Sequence, residues 1–309
     1  MSQDTIVSFD ENILQLPSCL AIHAQLRPSL NRFELKDYVD HIQKLCQTNQ
    51  SHICGIIRKN QSETIVLALA FYRIHPTTYD TIRFEVHDLV VDEKERNHGL
   101  GTQLFQYLIK QSKECGAPSL VLQCDLTNTK AHGFFFRHNL AISSFGFAVK
   151  TMNLLENPSH IKVMDITDSS DNKQLLIQAQ DVFLQLRPNL PSDQNTYIGQ
   201  IHHICQTGPA RIIVAISNDE KKDILGLAVY RISNNIKYSK HIYCDDLITD
   251  ENKRSLGVGQ SLINFMKNEA TKLGLSLIAL DSGCQRGRAH KFYHRQGFHI
   301  DQFEFTLFY

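Results

Sequence analysis

Apolar residues recur along this chain with two different periods, and the order of those periods predicts helices and strands. Residues 13–26 and 34–46 carry apolar side chains at helical spacing. Segments 64–74 and 82–91 are rich in β-branched and aromatic residues, which predicts two strands. The pattern then predicts a long helix at 97–113, a strand at 120–124, a helix at 130–138 and an extended segment to residue 150. This order is typical of an α/β unit.

The same order returns in the second half of the chain, because the sequence repeats itself. Leu26-Arg27-Pro28 returns as Leu186-Arg187-Pro188, and from residue 72 onward the offset between matching positions stays at 158 residues. The matches include Tyr72 with Tyr230, Asp88 with Asp246, Arg96 with Arg254, Gly99 with Gly257 and Gly101 with Gly259. The late strand and helix of the second copy fall at 277–280 and 289–296. We predict a tandem duplication with domains at 1–152 and 162–309, joined near 153–161.

Composition excludes binding that is driven by bulk charge. Lysine plus arginine total 32, and aspartate plus glutamate also total 32, so no field of one sign is available to hold nucleic acid or a membrane surface. The N-terminus lacks a Sec-type signal, and no apolar run approaches the roughly 20 residues needed to span a bilayer. The eight cysteines are scattered without a Cys-x-x-Cys pair, so we assign them neither a disulfide nor a metal. We expect a cytoplasmic protein.

Residues 245–260 carry the strongest chemical signal in the sequence. A short apolar strand meets a turn with two glycines, and apolar residues at helical spacing follow directly. Unpaired backbone N–H groups at the start of such a helix attract an anion, and glycine lets a phosphate approach the backbone. The pattern therefore predicts a pyrophosphate site, although a plain tight turn before a helix fits it as well.

Two motifs taken together resemble the GCN5-related N-acetyltransferase (GNAT) family. The first is Arg254-x-x-Gly257-x-Gly259, and the second is Ala289-His290-Lys291-Phe292-Tyr293-His294-Arg295-Gln296-Gly297-Phe298. The first copy keeps the loop as Arg96-Asn97-His98-Gly99-Leu100-Gly101, but its second motif has Phe135 at the position of Tyr293 and Asn139-Leu140 at that of Gly297-Phe298. The resemblance covers both copies and extends to tandem-GNAT proteins. It implies a fold of the α/β class (α+β type) with two tandem GNAT domains, each a mixed, mostly antiparallel sheet flanked by helices.

The resemblance implies an acetyl-CoA-dependent N-acetyltransferase that transfers acetyl directly to a primary amine. Backbone groups of the loop would hold the pyrophosphate, and the preceding strand would contact the pantetheine arm. In the second copy the implied cofactor residues are Leu247, Ile248, Thr249, Arg254, Ser255, Leu256, Gly257, Val258, Gly259 and Gln260. In the first copy they are Leu89, Val90, Val91, Arg96, Asn97, His98, Gly99, Leu100, Gly101, Thr102 and Asn128. No metal is expected.

Catalysis requires a base for the acceptor ammonium and an acid for the departing thiolate. By resemblance Tyr293 is the acid, whereas Phe135 has no proton to donate. Asp246 is the predicted base because Asp88 repeats it, and Asp245 is the second candidate. Strand alternation predicts that Asp245 and Asp246 face opposite sides. Water as the base, a turn-capping Asp246 or one paired with Arg254, and a purely structural Tyr293 all stay open. Asp281, matched by Gln123, is expected to shape acceptor binding.

The acceptor stays open between a protein lysine and a small amine. Because the resemblance extends to a bacterial effector, a host protein is also a possible partner, whereas nucleic acid and membrane are not expected. We expect chemistry mainly in the second copy, with the first binding acetyl-CoA and contributing little or no transfer. The alternative hypothesis is an acyl-CoA-loaded protein-binding module in which one or both halves lack activity.

Overall fold

The computed structural model describes residues 3–61, 63–80, 82–151, 156–167, 172–207 and 210–309. The predicted boundary at residue 152 and the linker residues 153–155 lie outside these ranges. The first copy contains β1 (Gln3–Ser8), α1 (Glu11–Leu14), α2 (Pro17–Leu26), α3 (Leu35–Asn49), β2 (Ser51–Lys59), β3 (Thr64–His75), β4 (Arg83–Val91), α4 (Leu100–Glu114), β5 (Ser119–Asp125), α5 (Thr129–Arg137) and β6 (Ala141–Lys150).

Over its described residues, the second copy repeats this order of elements apart from the short first helix. It contains β7 (Ile161–Asp165), α6 (Lys173–Leu184), α7 (Gln194–Thr207), β8 (Ala210–Ser217), β9 (Ile224–Asn235), β10 (Ser239–Thr249), α8 (Val258–Lys272), β11 (Leu277–Gly283), α9 (Gly287–Arg295) and β12 (His299–Phe308). The predicted α/β order of elements therefore occurs in both copies.

The sequence pattern identifies the long elements and misses the strands at the outer ends of the sheet. Strands β1, β2, β7 and β8 have no counterpart in the predictions above. The helix predicted at 97–113 begins instead at Leu100, because Asn97 and Gly99 have left-handed backbone angles that end the loop first. Strand β2 contains Gly55, where a Cβ atom would lie 2.1 Å from the carbonyl oxygen of Ala68. Glycine is therefore required by the close approach of β3, not by a turn.

The two copies exchange their last strands within one continuous sheet. Twelve strands run in the order β1-β2-β3-β4-β5-β12-β6-β11-β10-β9-β8-β7. Strand β6 of the first copy pairs antiparallel with β11, and β12 of the second copy pairs antiparallel with β5. The two exchanged strands also pair with each other at the centre of the sheet.

The exchanged strands also complete the hydrophobic cores. Phe147 and Val149 of β6 pack in the core of the second half with Tyr293, and Phe305 of β12 packs in that of the first half with Phe135. Each half therefore buries aromatic side chains that the other half supplies. The boundaries 1–152 and 162–309 stay a prediction about the repeat, while sheet and cores extend across them.

Each half contains a gap where two parallel strands separate. Strands β10 and β11 pair only from Ile242 to Cys244, and β4 and β5 pair only from Phe84 to Val86. Immediately afterwards the register of β10 against β9 shifts between Cys244 and Asp246, so Asp245 is the extra residue of a bulge. The shift between β3 and β4 leaves His87 in the same position. Both bulges bend the strand where the gap opens.

Candidate active site

A cavity of about 750 Å³ lies between the predicted loop and helix α9. Of the predicted cofactor residues in the second copy, the structure brings together Leu247, Ile248, Thr249, Arg254, Ser255, Gly257, Val258, Gly259 and Gln260 in its lining. Leu256 is outside this set, and its side chain is about half exposed. Strand, loop and helix thus form one concave surface.

The loop geometry is the same in the two copies and suits an anion. Ser255 and Gly257 have φ angles of 67° and 88°, and Asn97 and Gly99 have 68° and 83°. These left-handed residues end the loop, and the first amide groups of the following helix lack intrahelical acceptors. A Cβ atom at Gly259 would lie 3.1 Å from the Phe292 ring, so glycine also lets α8 and α9 pack closely.

A second cavity, of about 640 Å³, joins the first beside Tyr293. Both cavities are lined by Leu186, Leu247, Gln285, Arg286 and Tyr293. The second cavity, which we call the acceptor cleft, occupies the gap between β10 and β11, and the predicted residues Asp245 and Asp246 line it. Tyr293 therefore lies at the junction of a loop-side cavity and a polar cleft.

Tyr293 is buried among aromatic rings from both copies. Its ring centroid is 5.4 Å from that of Phe147 on the exchanged strand and 5.8 Å from that of Phe298. Burial raises the pKa of the Tyr293 hydroxyl above its ordinary value, and the neighbouring Cys244 acts in the same direction. The hydroxyl therefore keeps its proton at neutral pH and is available as a donor.

Asp246 is fully buried and held by an arginine. Arg187 Nε donates to Asp246 Oδ1 over 2.6 Å, and the hydroxyl of Thr78 from the first copy donates to Oδ2. The partner is thus Arg187 and not Arg254. The first copy contains the corresponding ion pair, in which Arg27 Nε donates to Asp88 Oδ1, also over 2.6 Å. Sequence analysis missed both arginines, although the repeated Leu-Arg-Pro segment was their signal.

The position of Asp245 shows that one expectation was wrong, namely that Asp245 and Asp246 face opposite sides of the strand. Because it is the extra residue of the bulge, regular alternation stops there, and Asp245 and Asp246 both line the acceptor cleft. Arg231 Nε donates to Asp245 Oδ2 over 2.7 Å, and both side chains are almost fully buried. Burial raises the pKa of Asp245, while the charge of Arg231 opposes the rise.

The corresponding gap in the first copy is nearly filled. Its cavity measures about 70 Å³ and is lined by Asp88, Leu89, Asn128 and Phe135. Residues from the turn between β9 and β10 of the second copy also line it, and Ile236 packs into the core of the first copy. Lys237 Nζ donates to Asp125 Oδ1 over 2.5 Å and to Asp301 Oδ2 over 2.8 Å.

Apart from Leu89 and Asn128, the predicted cofactor residues of the first copy lie outside this small cavity. Asn128 lines it, but its side-chain oxygen also caps helix α5 by accepting from the amide of Ala131 over 3.2 Å. Leu100 is buried under the loop, and Thr102 Oγ1 contacts His138 Nε2 at 3.3 Å. Of the remaining predicted residues, Val90 and Val91 end β4, Arg96, Asn97, His98 and Gly99 lie in the loop, and Gly101 lies in the first turn of α4.

The turn between β3 and β4 of the first copy corresponds to the turn between β9 and β10 of the second. It contributes Tyr79 to the lining of the acceptor cleft but does not fill the cleft. The Tyr79 ring lies between two guanidinium groups, 4.5 Å from Arg187 Cζ and 5.3 Å from Arg83 Cζ. Arg83 in turn pairs with Glu304 of β12 over 2.5 Å. The first copy therefore builds one wall of the cleft in the second.

Two absences hold for the residues that the structure describes. Within them, no helix combines the length and apolarity required to span a membrane. The same residues contain no group of three or more histidine, cysteine, aspartate or glutamate side chains placed to hold a metal ion.

Comparison with known proteins gives concordant matches. The family described as "Acetyltransferase (GNAT) family" matches twice, over residues 20–139 and 179–298. An uncharacterized N-acetyltransferase, YhdJ of Bacillus subtilis (strain 168), is 30% identical over 135 residues, which is 43% of this chain and 92% of that protein. Both family matches end just before the exchanged strands begin.

Solved structures match the fold over nearly the whole chain. A GCN5-related N-acetyltransferase from Sphaerobacter thermophilus gives a TM-score of 0.65 at 14% identity, covering 99% of this chain and 95% of that one. A tandem GNAT protein from the clavulanic acid biosynthesis pathway gives 0.60 at 12% identity, covering 99% and 98%. At such low identity these likenesses establish the tandem fold alone.

Proposed function

This chain belongs to the GNAT acetyltransferase family and is an N-acetyltransferase, and from this premise we propose that its second half carries out the transfer while the first half only binds acetyl-CoA. The observation that carries the proposal is the position of Tyr293 at the junction of the two large cavities. Phe135 at the matching position borders a cavity of about 70 Å³. An open acceptor cleft and an ionisable hydroxyl thus occur together in one half.

The family uses acetyl-CoA, which supplies the acetyl group as a thioester. We assign its pyrophosphate to the backbone amides at the start of α8, where Ser255 and Gly257 turn the chain. The edge of β10 from Leu247 to Thr249 no longer pairs with β11, so its main-chain groups are available to the pantetheine arm. No side-chain charge has to be invoked for this binding.

Tyr293 is assigned the role of general acid. A buried hydroxyl whose pKa is raised stays protonated, and it can therefore donate to the thiolate that leaves as the amide forms. Phe147 and Phe298 pack around the ring and fix its orientation. The acid is thus positioned partly by a strand that belongs to the first copy.

A binding role without turnover is proposed for the first half. Its loop has the same left-handed residues, Asn97 and Gly99, so the amides of α4 are arranged like those of α8. The acceptor side is closed by Lys237, whose ammonium group is bound by acidic side chains. Bound acetyl-CoA would stabilise this half by mass action, by about 2.7 kcal/mol at 100 times its Kd.

The test is a transfer assay with labelled acetyl-CoA against two panels, one of small primary amines and one of proteins. The proposal expects label in at least one acceptor together with stoichiometric release of free CoA thiol. Binding of acetyl-CoA by calorimetry without transfer to either panel would instead favour the protein-binding module.

A further inference from the structure

The duplication provides an internal comparison between a half with an open acceptor cleft and a half without one. Asp246 and Asp88 occur in both halves, each bound by the arginine of its own copy. Among the positions that differ in chemistry, Asp281 is matched by Gln123 and Tyr293 by Phe135, neither of which can exchange a proton in the same way. Charged pairs that occur in both halves are assigned to the fold. Ionisable side chains that occur only in the half with the open acceptor cleft are candidates for proton transfer in the reaction.

Asp281 lies on β11 where that strand separates from β10. It lines the acceptor cleft together with Tyr293. Its Oδ2 atom accepts from Gln123 Nε2 over 2.6 Å and also from the Tyr243 hydroxyl. Its buried Oδ1 atom has no hydrogen-bond partner within the described ranges of the chain. This carboxylate is therefore less fully engaged than the other acidic groups of the cleft.

Those other groups are occupied by cations. Asp246 is paired with Arg187, Asp245 with Arg231 and Glu304 with Arg83. Arg83 also lies 3.9 Å from the carboxylate of Asp80, the remaining acidic group of the cleft lining. A carboxylate held by a guanidinium gives up that interaction when it accepts a proton. Asp281 has no arginine or lysine within ion-pair distance among the residues that the structure describes.

We propose that Asp281 is the general base that removes the proton from the acceptor ammonium group. This inference rests on the proposed function. The ammonium N–H bond breaks as the proton passes to the Asp281 carboxylate, and the freed nitrogen lone pair forms a bond to the thioester carbonyl carbon. The carbon–sulfur bond then breaks, and the thiolate takes the Tyr293 proton. The nitrogen's second proton passes to the Tyr293 phenolate as the amide forms, so the products are the amide and free CoA thiol, and Asp281 returns its proton to solvent.

The surroundings of Asp281 make its carboxylate a stronger base than that of an exposed aspartate. Burial raises its pKa well above the usual range, the Glu304 carboxylate raises it further, and the Tyr243 hydrogen bond opposes the rise. A carboxylate poised in this way is closer to the ideal for proton transfer than an ordinary one. The titratable and charged groups that face it are Tyr243 on its neighbour β10, Arg83 and Glu85 on β4, Glu304 on β12, and Tyr238.

A small cavity lies beside the carboxylate. It measures about 20 Å³ and is lined by Asp281, Tyr243 and Asp245 as well as by residues of the first copy. This is room for about one water molecule. Arg231 Nη2, beside the cavity, is buried without a hydrogen-bond partner among the described residues. The Asp281 carboxylate therefore borders a polar cavity in addition to the acceptor cleft.

The experiment compares Asp281→Asn with Asp246→Asn in the full-length protein from pH 7 to pH 10. The acceptor probes are butylamine, spermidine, glucosamine and a lysine-containing peptide. At pH 7 Asp281→Asn should lower kcat/KM for the acceptor by about 10²–10⁴-fold, as expected for a lost general base. The deficit should shrink towards pH 10, because the amine, with a pKa of about 10.4 for a lysine side chain, then loses its proton in solution. The Kd of acetyl-CoA should not change.

Asp246→Asn serves as the matched control. It should lower thermal stability, and whatever activity it loses should be lost equally at both ends of the pH range. A deficit of Asp281→Asn that stays constant with pH, or activity within threefold of the parent at pH 7, would overturn the inference. Failure of the parent protein to acetylate any probe would count against the proposed function itself and would overturn this inference with it.

Discussion

Replacing Gly257 with alanine tests whether the loop before α8 binds the cofactor. Gly257 has a φ angle of 88°, a left-handed value that costs alanine about 1–2 kcal/mol. The added Cβ atom would meet only Pro158, at 3.4 Å, so the substitution does not clash with the rest of the fold. A loss of this size lowers Tm by roughly 2–8 °C in a domain of this length.

Gly274 at the other end of the same helix is the matched control. Its φ angle is 67°, and an added Cβ atom would have no neighbour within 4 Å. Gly274→Ala therefore introduces the same kind of backbone strain in α8 and should lower Tm by a similar amount. It lies outside the lining of the loop-side cavity.

Calorimetric titration with acetyl-CoA separates the two variants. The parent protein and Gly274→Ala should each bind at two sites per chain, whereas Gly257→Ala should weaken one site at least tenfold, equivalent to about 1.4 kcal/mol. Gly99→Ala should weaken the other site, because its φ angle is 83° in the twin loop. Equal affinities in Gly257→Ala and Gly274→Ala would refute the assignment of the loop.

Three further predictions concern features to which both copies contribute. Asp246→Asn and Asp88→Asn should each destabilise the fold by on the order of 3 kcal/mol, measured by denaturant unfolding, because each leaves a partly buried arginine without its charge partner; equal stability to the parent would contradict the structural role. Phe147→Ala should cost about 3–5 kcal/mol and also lower activity, because its ring packs on Tyr293. Fragments 1–155 and 160–309 should bind each other when mixed, as gel filtration would detect, and separate elution would argue against the strand exchange.

The sequence predicts the parts of this molecule whose structure is decided locally. Gly257 and Gly99 identify a turn that needs left-handed residues, and the apolar spacing after them identifies α8 and α4. The second motif identifies the helix that carries Tyr293. These features depend on a few consecutive residues, so a repeated motif is sufficient to find them twice.

The parts that escape sequence analysis depend on distant partners. Strands β6 and β12 have similar patterns, and nothing in alternation decides which copy each of them joins. The bulge at Asp245 interrupts the strand alternation from which the side faced by the Asp245 side chain was predicted. The prediction of Asp246 as the base used its recurrence as Asp88, yet the structure shows that recurrence accompanies an arginine pair common to both halves.

The most direct test of the account is turnover by Tyr293→Phe, with Tyr197→Phe as the control for loss of a buried hydroxyl. Tyr197 lies in the core of the second half, and its hydroxyl has no hydrogen-bond partner among the described residues. The account predicts that Tyr293→Phe lowers kcat by about 10²–10⁴-fold while the Kd of acetyl-CoA stays unchanged, and that Tyr197→Phe matches the parent. Turnover by Tyr293→Phe at the parental rate with saturating substrates would contradict the central claim.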